Sequence, residues 1–151
     1  PTGEIDQYGL QPRGLIWCLP QTEEGLHVQW QACQTTGNTM LLQDSPAVRE
    51  LVQTWQQHTP NAHSANVQWA TYVELAQLPL QAALAESDTD ALLPLQQQLA
   101  ARPGPLLLLQ GLTSDEIHQG ERYRQERLLR EVSISTNTTA AGGNASLMMV
   151  G

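Results

Sequence analysis

The sequence predicts an α/β fold, an open and mostly parallel sheet with helices packed on both faces. Short runs that are apolar throughout alternate with segments of helical periodicity. A strand without a polar face needs cover on both sides, which helices supply. Each run is separated from the next by a stretch able to hold the crossover that parallel neighbours require.

Residues 1–14, with Pro1, Gly3, Gly9 and Pro12, read as an irregular lead-in. Leu15-Ile16-Trp17-Cys18-Leu19, bounded by Gly14 and Pro20, has the length and flanks of a strand buried on both faces. Thr22 ahead of Glu23 and Glu24 marks a helix start, because a hydroxyl can cap the first amides and carboxylates suit the positive end of the helix dipole. Leu26, Trp30 and Cys33 continue it at helical spacing, and Gly37 is placed to end it. Residues 39–42 form a second short apolar run. Ser45-Pro46 opens a second helix, with a capping side chain followed by proline at the first helical position. Val48, Leu51, Val52 and Trp55 give that helix the cleanest apolar stripe in the chain, and Pro60 closes it.

Residues 67–70 are assigned as a third strand, and Thr71 with Glu74 has the spacing of a capping box ahead of Leu75 and Leu78. Residues 80–84 fit either a strand or a helix and are assigned as a strand. Ser87, Asp88 and Asp90 open a helix through Leu92, Leu95 and Leu99, with Pro94 expected within its first turn. Arg102-Pro103-Gly104-Pro105 stops it. Leu106-Leu107-Leu108-Leu109-Gln110-Gly111 is expected to be the strongest buried strand. This order of elements is that of a Rossmann-like sheet. Beyond it, Arg122, Arg124, Arg127 and Arg130 interleave with Glu121, Glu126 and Glu131, which reads as a solvated helix or loop rather than a phosphate-binding patch. Val132, Ile134 and Thr136 alternate with Ser133, Ser135 and Asn137, as in a half-buried strand.

Composition excludes several classes of function. The 151 residues are 40% hydrophobic, enough for one compact core. The net charge is −8, the seven bases are all arginine, and 19 glutamines supply much of the polarity. Such a chain lacks the clustered Lys and Arg that neutralise phosphates, so no nucleic-acid partner is expected. The absence of lysine removes Schiff-base chemistry and any phosphate-loop lysine. No apolar run approaches the roughly 18–20 residues that span a bilayer, and no amino-terminal stretch has the pattern of a secretion signal. The chain opens at Pro1 without an initiator methionine, so it is expected to be a piece of a longer protein. Two cysteines, Cys18 and Cys33, suit a reduced, cytosolic setting.

A search for chemistry finds no catalytic constellation. A dinucleotide-binding sheet places G-x-G-x-x-G after its first strand, so that backbone amides approach the pyrophosphate. Here Pro20-Gln21-Thr22-Glu23-Glu24-Gly25 puts a proline and two carboxylates in that place. Cys18 and Cys33 are expected to pack in the core, because an activated thiol wants a helix amino terminus or a basic neighbour. His27, His58, His63 and His118 are scattered and read as isolated surface histidines, without zinc spacing. G-x-S-x-G is absent, and Asp88 with Asp90 is explained by a helix start. The expectation is therefore no catalytic, cofactor-binding or metal-binding residues in this chain.

The last residues are unusual. Thr138-Thr139-Ala140-Ala141-Gly142-Gly143-Asn144-Ala145-Ser146-Leu147-Met148-Met149-Val150-Gly151 carries little side chain to bury, yet ends in apolar residues. Such a segment suits a narrow crevice where backbones approach closely, with Gly142 and Gly143 permitting a turn. In the isolated chain it is expected to be disordered or captured by a neighbouring molecule.

The run Ile134-Ser135-Thr136-Asn137-Thr138-Thr139-Ala140-Ala141-Gly142-Gly143-Asn144-Ala145-Ser146-Leu147-Met148 resembles the terminal motif of long proline utilization A (PutA) proteins, roughly V-S-V-N-T-A-A-A-G-G-N-A-S-L-M. It departs from that motif at Thr136 and Thr139. Pro1-Thr2-Gly3-Glu4, Pro12-Arg13, Cys18-Leu19, Gln43-Asp44, Gln110-Gly111 and Glu126-Arg127 look similar as well, so the resemblance spans essentially the whole chain. It implies a bifunctional bacterial parent that oxidises proline to glutamate through pyrroline-5-carboxylate. In such a parent an FAD-dependent proline dehydrogenase domain is joined to an NAD-dependent aldehyde-dehydrogenase domain.

By that resemblance this chain is the carboxy-terminal domain, similar to an aldehyde-dehydrogenase nucleotide-binding domain without its catalytic cysteine or cofactor loop. It would act as a lid on the internal channel, and Asn137, Thr138, Ala140, Ala141, Gly142, Gly143, Asn144, Ala145, Ser146, Leu147 and Met148 would form its docking motif. The implied partner is the aldehyde-dehydrogenase domain of the same polypeptide, within or between subunits. The parent would be cytoplasmic, with peripheral association at the inner membrane left open. The expected division is a lead-in over 1–14, a Rossmann-like domain over 15–131, and a strand with docking motif over 132–151. Two other classes stay open, a free-standing small α/β nucleotide-binding protein and a self-association module.

Overall fold

Five parallel strands form the central sheet of the protein, a computed structural model that describes residues 4–62 and 67–137. In chain order the elements are β1 (Glu4–Pro12), β2 (Leu15–Leu19), α1 (Glu23–Thr36), β3 (Thr39–Gln43) and α2 (Pro46–His58). They continue with β4 (Val67–Ala70), α3 (Tyr72–Leu75), β5 (Leu80–Glu86), α4 (Thr89–Ala100) and β6 (Leu108–Leu112). A short α5 (Ser114–His118), a 3-10 turn (Gln125–Leu128) and β7 (Leu129–Asn137) complete the described chain. The parallel sheet has the order β4-β3-β2-β5-β6, while β1 and β7 form a separate two-stranded sheet. Among the described residues no helix is long and apolar enough to cross a membrane.

Local chemistry places the helices. Thr22 caps α1, its Oγ1 accepting from the Gly25 amide at 3.0 Å, and Gly37 ends the helix at φ 74°, a conformation that favours glycine. Ser45 caps α2 and Pro46 follows it. Thr71 and Glu74 form a complete capping box on α3, as the spacing predicts. Pro94 lies deeper than the first turn of α4, where it cannot donate to the Asp90 carbonyl. Pro94 lies on the exposed side of α4, where water can take the place of the missing donor.

Strand alternation divides the core into two layers. Ile16, Cys18, Met40, Leu42, Ala82 and Leu84 face α1, α2 and α5, whereas Trp17, Leu41 and Ala83 face Leu75 of α3 and Leu99 of α4. Helices therefore cover both faces, as the uniformly apolar strands require. Each fully buried leucine, isoleucine or methionine contributes roughly 1.5–3 kcal/mol from burial.

Three further expectations need correction. Residues 4–12, expected to be irregular, form β1 in a continuous antiparallel register with β7, from Glu4↔Asn137 to Pro12↔Leu129. The pairing is made by residues at the other end of the chain, which no local window contains. The leucine run after Pro105 is not the most buried strand. The strand begins only at Leu108, β6 lies at the edge of the sheet, and Leu106 precedes it at 79% exposure. Only Leu107 and Leu109 turn toward the core, while β5 is buried along nearly its whole length. Residues 114–130, expected to be solvated, bury Ile117, Tyr123 and Leu128 against the sheet.

A pair of substitutions tests this ordering. Leu84→Ala should destabilise by about 2–5 kcal/mol in chemical denaturation, whereas Leu106→Ala should change stability by no more than about 0.5 kcal/mol. Equal losses would contradict the assignment of edge and core.

Candidate functional site

Ligands of open α/β sheets bind at the carboxyl ends of the strands, where the strand order reverses. Here that point lies between β2 and β5, because the chain winds outward through β3 and β4 and then returns to the other side of β2. The turn after β2 leads straight into α1, so its amides face the place where a dinucleotide would lay its pyrophosphate.

That place is filled from within the chain. Glu86, the last residue of β5, is 1% exposed and points its carboxylate into the turn. The amides of Gln21 and Thr22 donate to its Oε1 at 2.6 and 2.8 Å. The hydroxyls of Thr22 and Ser114 donate to its Oε2 at 2.6 and 2.7 Å. All four partners are donors, and the positive end of the α1 dipole lies behind them, an arrangement suited to an anion. Gly25 completes the cradle: a β-carbon there would overlap the Glu86 carboxylate.

Neighbouring contacts hold the cradle in shape. Gln29 of α1 donates through Nε2 to the Leu84 carbonyl at 3.2 Å and to the Tyr123 hydroxyl at 3.2 Å. Tyr123 in turn donates to the Ala85 carbonyl at 2.8 Å, and its burial pushes the phenol well above its ordinary range. Beside the cradle lies a crevice of about 430 Å³, lined by Trp17, Gln21, Gln43, Leu95, Gln98 and Glu86.

An NAD pyrophosphate does not fit this arrangement. Pro20 has no amide hydrogen, and the amides of Gln21 and Thr22 already serve Glu86. A phosphate would compete with a buried carboxylate for the same donors and meet its charge at contact distance. The sequence motif pointed to Pro20 together with Glu23 and Glu24 as the obstacle, and of these only Pro20 lies in the way. The structure turns both glutamates outward, where Glu23 meets His58 Nδ1 at 2.8 Å and Glu24 meets His118 Nδ1 at 3.1 Å.

The remaining candidates are distributed as follows. Cys18 and Cys33 are free, buried core residues with sulfurs 3.8 Å apart, and burial followed by the Cys33 contact pushes the Cys18 thiol well up. His27 is not an isolated surface residue: it is half-buried, accepts from Trp55 Nε1 at 3.1 Å and packs on Trp30. His63 lies outside the described residues. Among the described residues, no three His, Cys, Asp or Glu side chains gather as metal ligands. Arg122 bonds the Ile117 carbonyl, and Arg124 lies 3.9 Å from Glu126.

Of the expected docking residues, Asn137 ends β7 opposite Glu4. Thr138, Ala140, Ala141, Gly142, Gly143, Asn144, Ala145, Ser146, Leu147 and Met148 lie outside the described residues. The ribbon carrying Asn137 is rooted at its opposite end. There the Arg13 amide donates to the Leu128 carbonyl at 3.2 Å, Asn38 Nδ2 to the same carbonyl at 2.9 Å, and Arg13 Nε to the Arg127 carbonyl at 2.8 Å.

Sequence reasoning missed Glu86, which fell between an assigned strand end at Leu84 and a helix start at Ser87. Two signals could have found it. An acid closes an otherwise apolar strand, and Gly25 sits within a helix, where glycine costs about 1 kcal/mol unless something needs the space.

Comparison with known proteins places the chain more firmly. No family model matches it. Over its full length it is 38% identical to the bifunctional protein PutA of Rhizobium meliloti, of which it covers 12%. It is 35% identical to the bifunctional protein PutA of Escherichia coli K12 and 36% identical to that of Salmonella typhimurium LT2, again over 100% of this chain and 11% of each relative. The chain thus spans 11–12% of the length of these curated relatives. A solved structure of proline utilization A (PutA) with proline bound in remote sites aligns with 75% of this chain and 13% of its own, at 20% identity and a TM-score of 0.52, a likeness of fold. The resemblance to PutA, strongest to the eye in the tail, therefore runs the length of the chain.

Two measurements test the site. Gly25→Ala should lower stability by about 1–3 kcal/mol, because the methyl must displace a buried hydrogen-bonded carboxylate, against the slight gain that alanine brings to an unobstructed helix. Cys18 and Cys33 should resist a thiol reagent in the native protein at mildly alkaline pH and both react in guanidinium. Rapid native labelling of Cys18 would contradict its burial.

Proposed function

We propose that this chain, similar throughout to a segment of the bifunctional PutA proteins, is a non-catalytic docking domain of a PutA-type polypeptide. The observation that carries the reading is the β1–β7 ribbon. Its nine paired residues span about 30 Å at roughly 3.4 Å per residue. It is anchored beside the Pro12–Leu129 pair and ends at the Glu4–Asn137 pair. Neither outer edge pairs with another strand among the described residues. A two-stranded ribbon is marginal alone, and unpaired strand edges are templates for another chain.

In this reading the parallel sheet is the mount and the ribbon with residues 138–151 is the contact. The partner is the aldehyde-dehydrogenase domain of the parent, within or between subunits, and the domain covers the passage through which pyrroline-5-carboxylate moves between active sites. A lid of this kind excludes water and confines a small polar intermediate, so closeness of fit matters more than titratable groups. Small residues from Ala140 to Ser146 permit backbone-level approach, and Asn137 and Asn144 offer both donors and acceptors to a partner backbone. Leu147 and Met148 would fill an apolar pocket. FAD and NAD would serve the other domains of a cytoplasmic parent, which accords with the filled cradle at α1.

The parent protein supplies the test. Removing residues 138–151 should slow coupled conversion of proline to glutamate and release intermediate to solution, while each half-reaction assayed alone keeps its rate. Unchanged coupled turnover with no added leakage would contradict the docking role. Calorimetric titration of the 151-residue chain with NAD should show no micromolar binding; tight binding would favour a nucleotide-binding protein. The free ribbon edges also support self-association as a second reading. Light scattering of the chain with and without its last 14 residues distinguishes a dimer from a monomer awaiting another domain.

A further inference from the structure

We infer that Glu86 is a ligand built into the chain, and that the cradle around it is a site for a small oxyanion, a carboxylate or phosphate group, which the protein keeps occupied with its own side chain. The argument rests on the seated anion as well as on the helix terminus behind it. Glu86 is almost fully buried and takes four donors, two from the β2–α1 turn and one each from the Thr22 and Ser114 hydroxyls. Among the described residues no basic side chain forms an ion pair with it. Neutral dipoles therefore hold the charge, as they hold phosphate at the corresponding turn of nucleotide-binding sheets.

The donors themselves come from that turn and from the start of α5, not from β5, which contributes only the carboxylate. Cutting the side chain back would leave them converging on an empty volume of carboxylate size. Gly25 keeps the same volume clear from the α1 side. Unmet buried donors favour capture of any anion small enough to enter, and a ligand that binds only the folded state raises its stability. This inference is independent of the docking role and fails or stands separately from it.

The experiment is chemical rescue of Glu86→Ala in the 151-residue chain, read by thermal unfolding at constant ionic strength. The variant in chloride should melt on the order of 5 °C below the parent sequence. Formate and acetate should restore part of that loss in a saturable manner. If inorganic phosphate does so as well, the cradle admits a phosphate group; if only the carboxylates do, it is limited to the volume Glu86 vacates. Glu86→Gln, which fills the volume but sets an amide group against donors, should lose stability and gain nothing from any anion. An equal response of Glu86→Ala, Glu86→Gln and the unmodified chain to every anion would overturn the inference. If Glu86→Ala is unfolded in chloride, the same titration reads the return of helical circular dichroism, and no return with any oxyanion overturns it.

Discussion

Two backbone amides at the start of a helix must find an acceptor, and in this protein the acceptor comes from a strand 64 residues further along the chain. Glu86 joins the β2–α1 turn, the end of β5 and the start of α5 in a single buried contact. The same end of the sheet is drawn together by Gln29 and Tyr123, which bond carbonyls of β5 from α1 and from the segment after α5. Leaving any of these groups without a partner would cost about 1–3 kcal/mol each. The closure of the carboxyl end is therefore a structural necessity here. A nucleotide-binding sheet meets the same necessity with its cofactor.

The consequence is a division of labour. The sheet is complete without a ligand, with two apolar layers and helices on both faces. The ribbon is not complete in the same sense, because its outer edges lack strand partners among the described residues and its root is held by a few backbone and side-chain bonds. The proposed docking role draws on this contrast between a packed sheet and a ribbon with open edges.

Much of the fold is legible in local chemistry. Caps at Thr22, Ser45, Thr71 and the stop at Gly37 announce helix boundaries because they act on neighbouring amides. The apolar runs of β2, β3 and β5 show themselves because both faces are covered. What escaped is long-range. The β1 strand exists through β7, and its Gly9 and Pro12 look like loop residues in isolation. The leucine run at 106–109 misleads because hydrophobicity does not reveal that a strand lies at an edge. Glu86 falls between an assigned strand and an assigned helix until β5 is placed beside β2, so its partners cannot be read from spacing.

Amide hydrogen exchange tests the central constraint most directly. The Gln21 and Thr22 amides sit outside the regular ladder of α1, yet bonding to Glu86 should protect them as strongly as core amides of β2. In Glu86→Ala without added oxyanion, these two amides should lose protection selectively while Trp17 and Cys18 in β2 keep theirs. Fast exchange at Gln21 and Thr22 in the unmodified chain would contradict the account, because the buried carboxylate would then not be holding the turn.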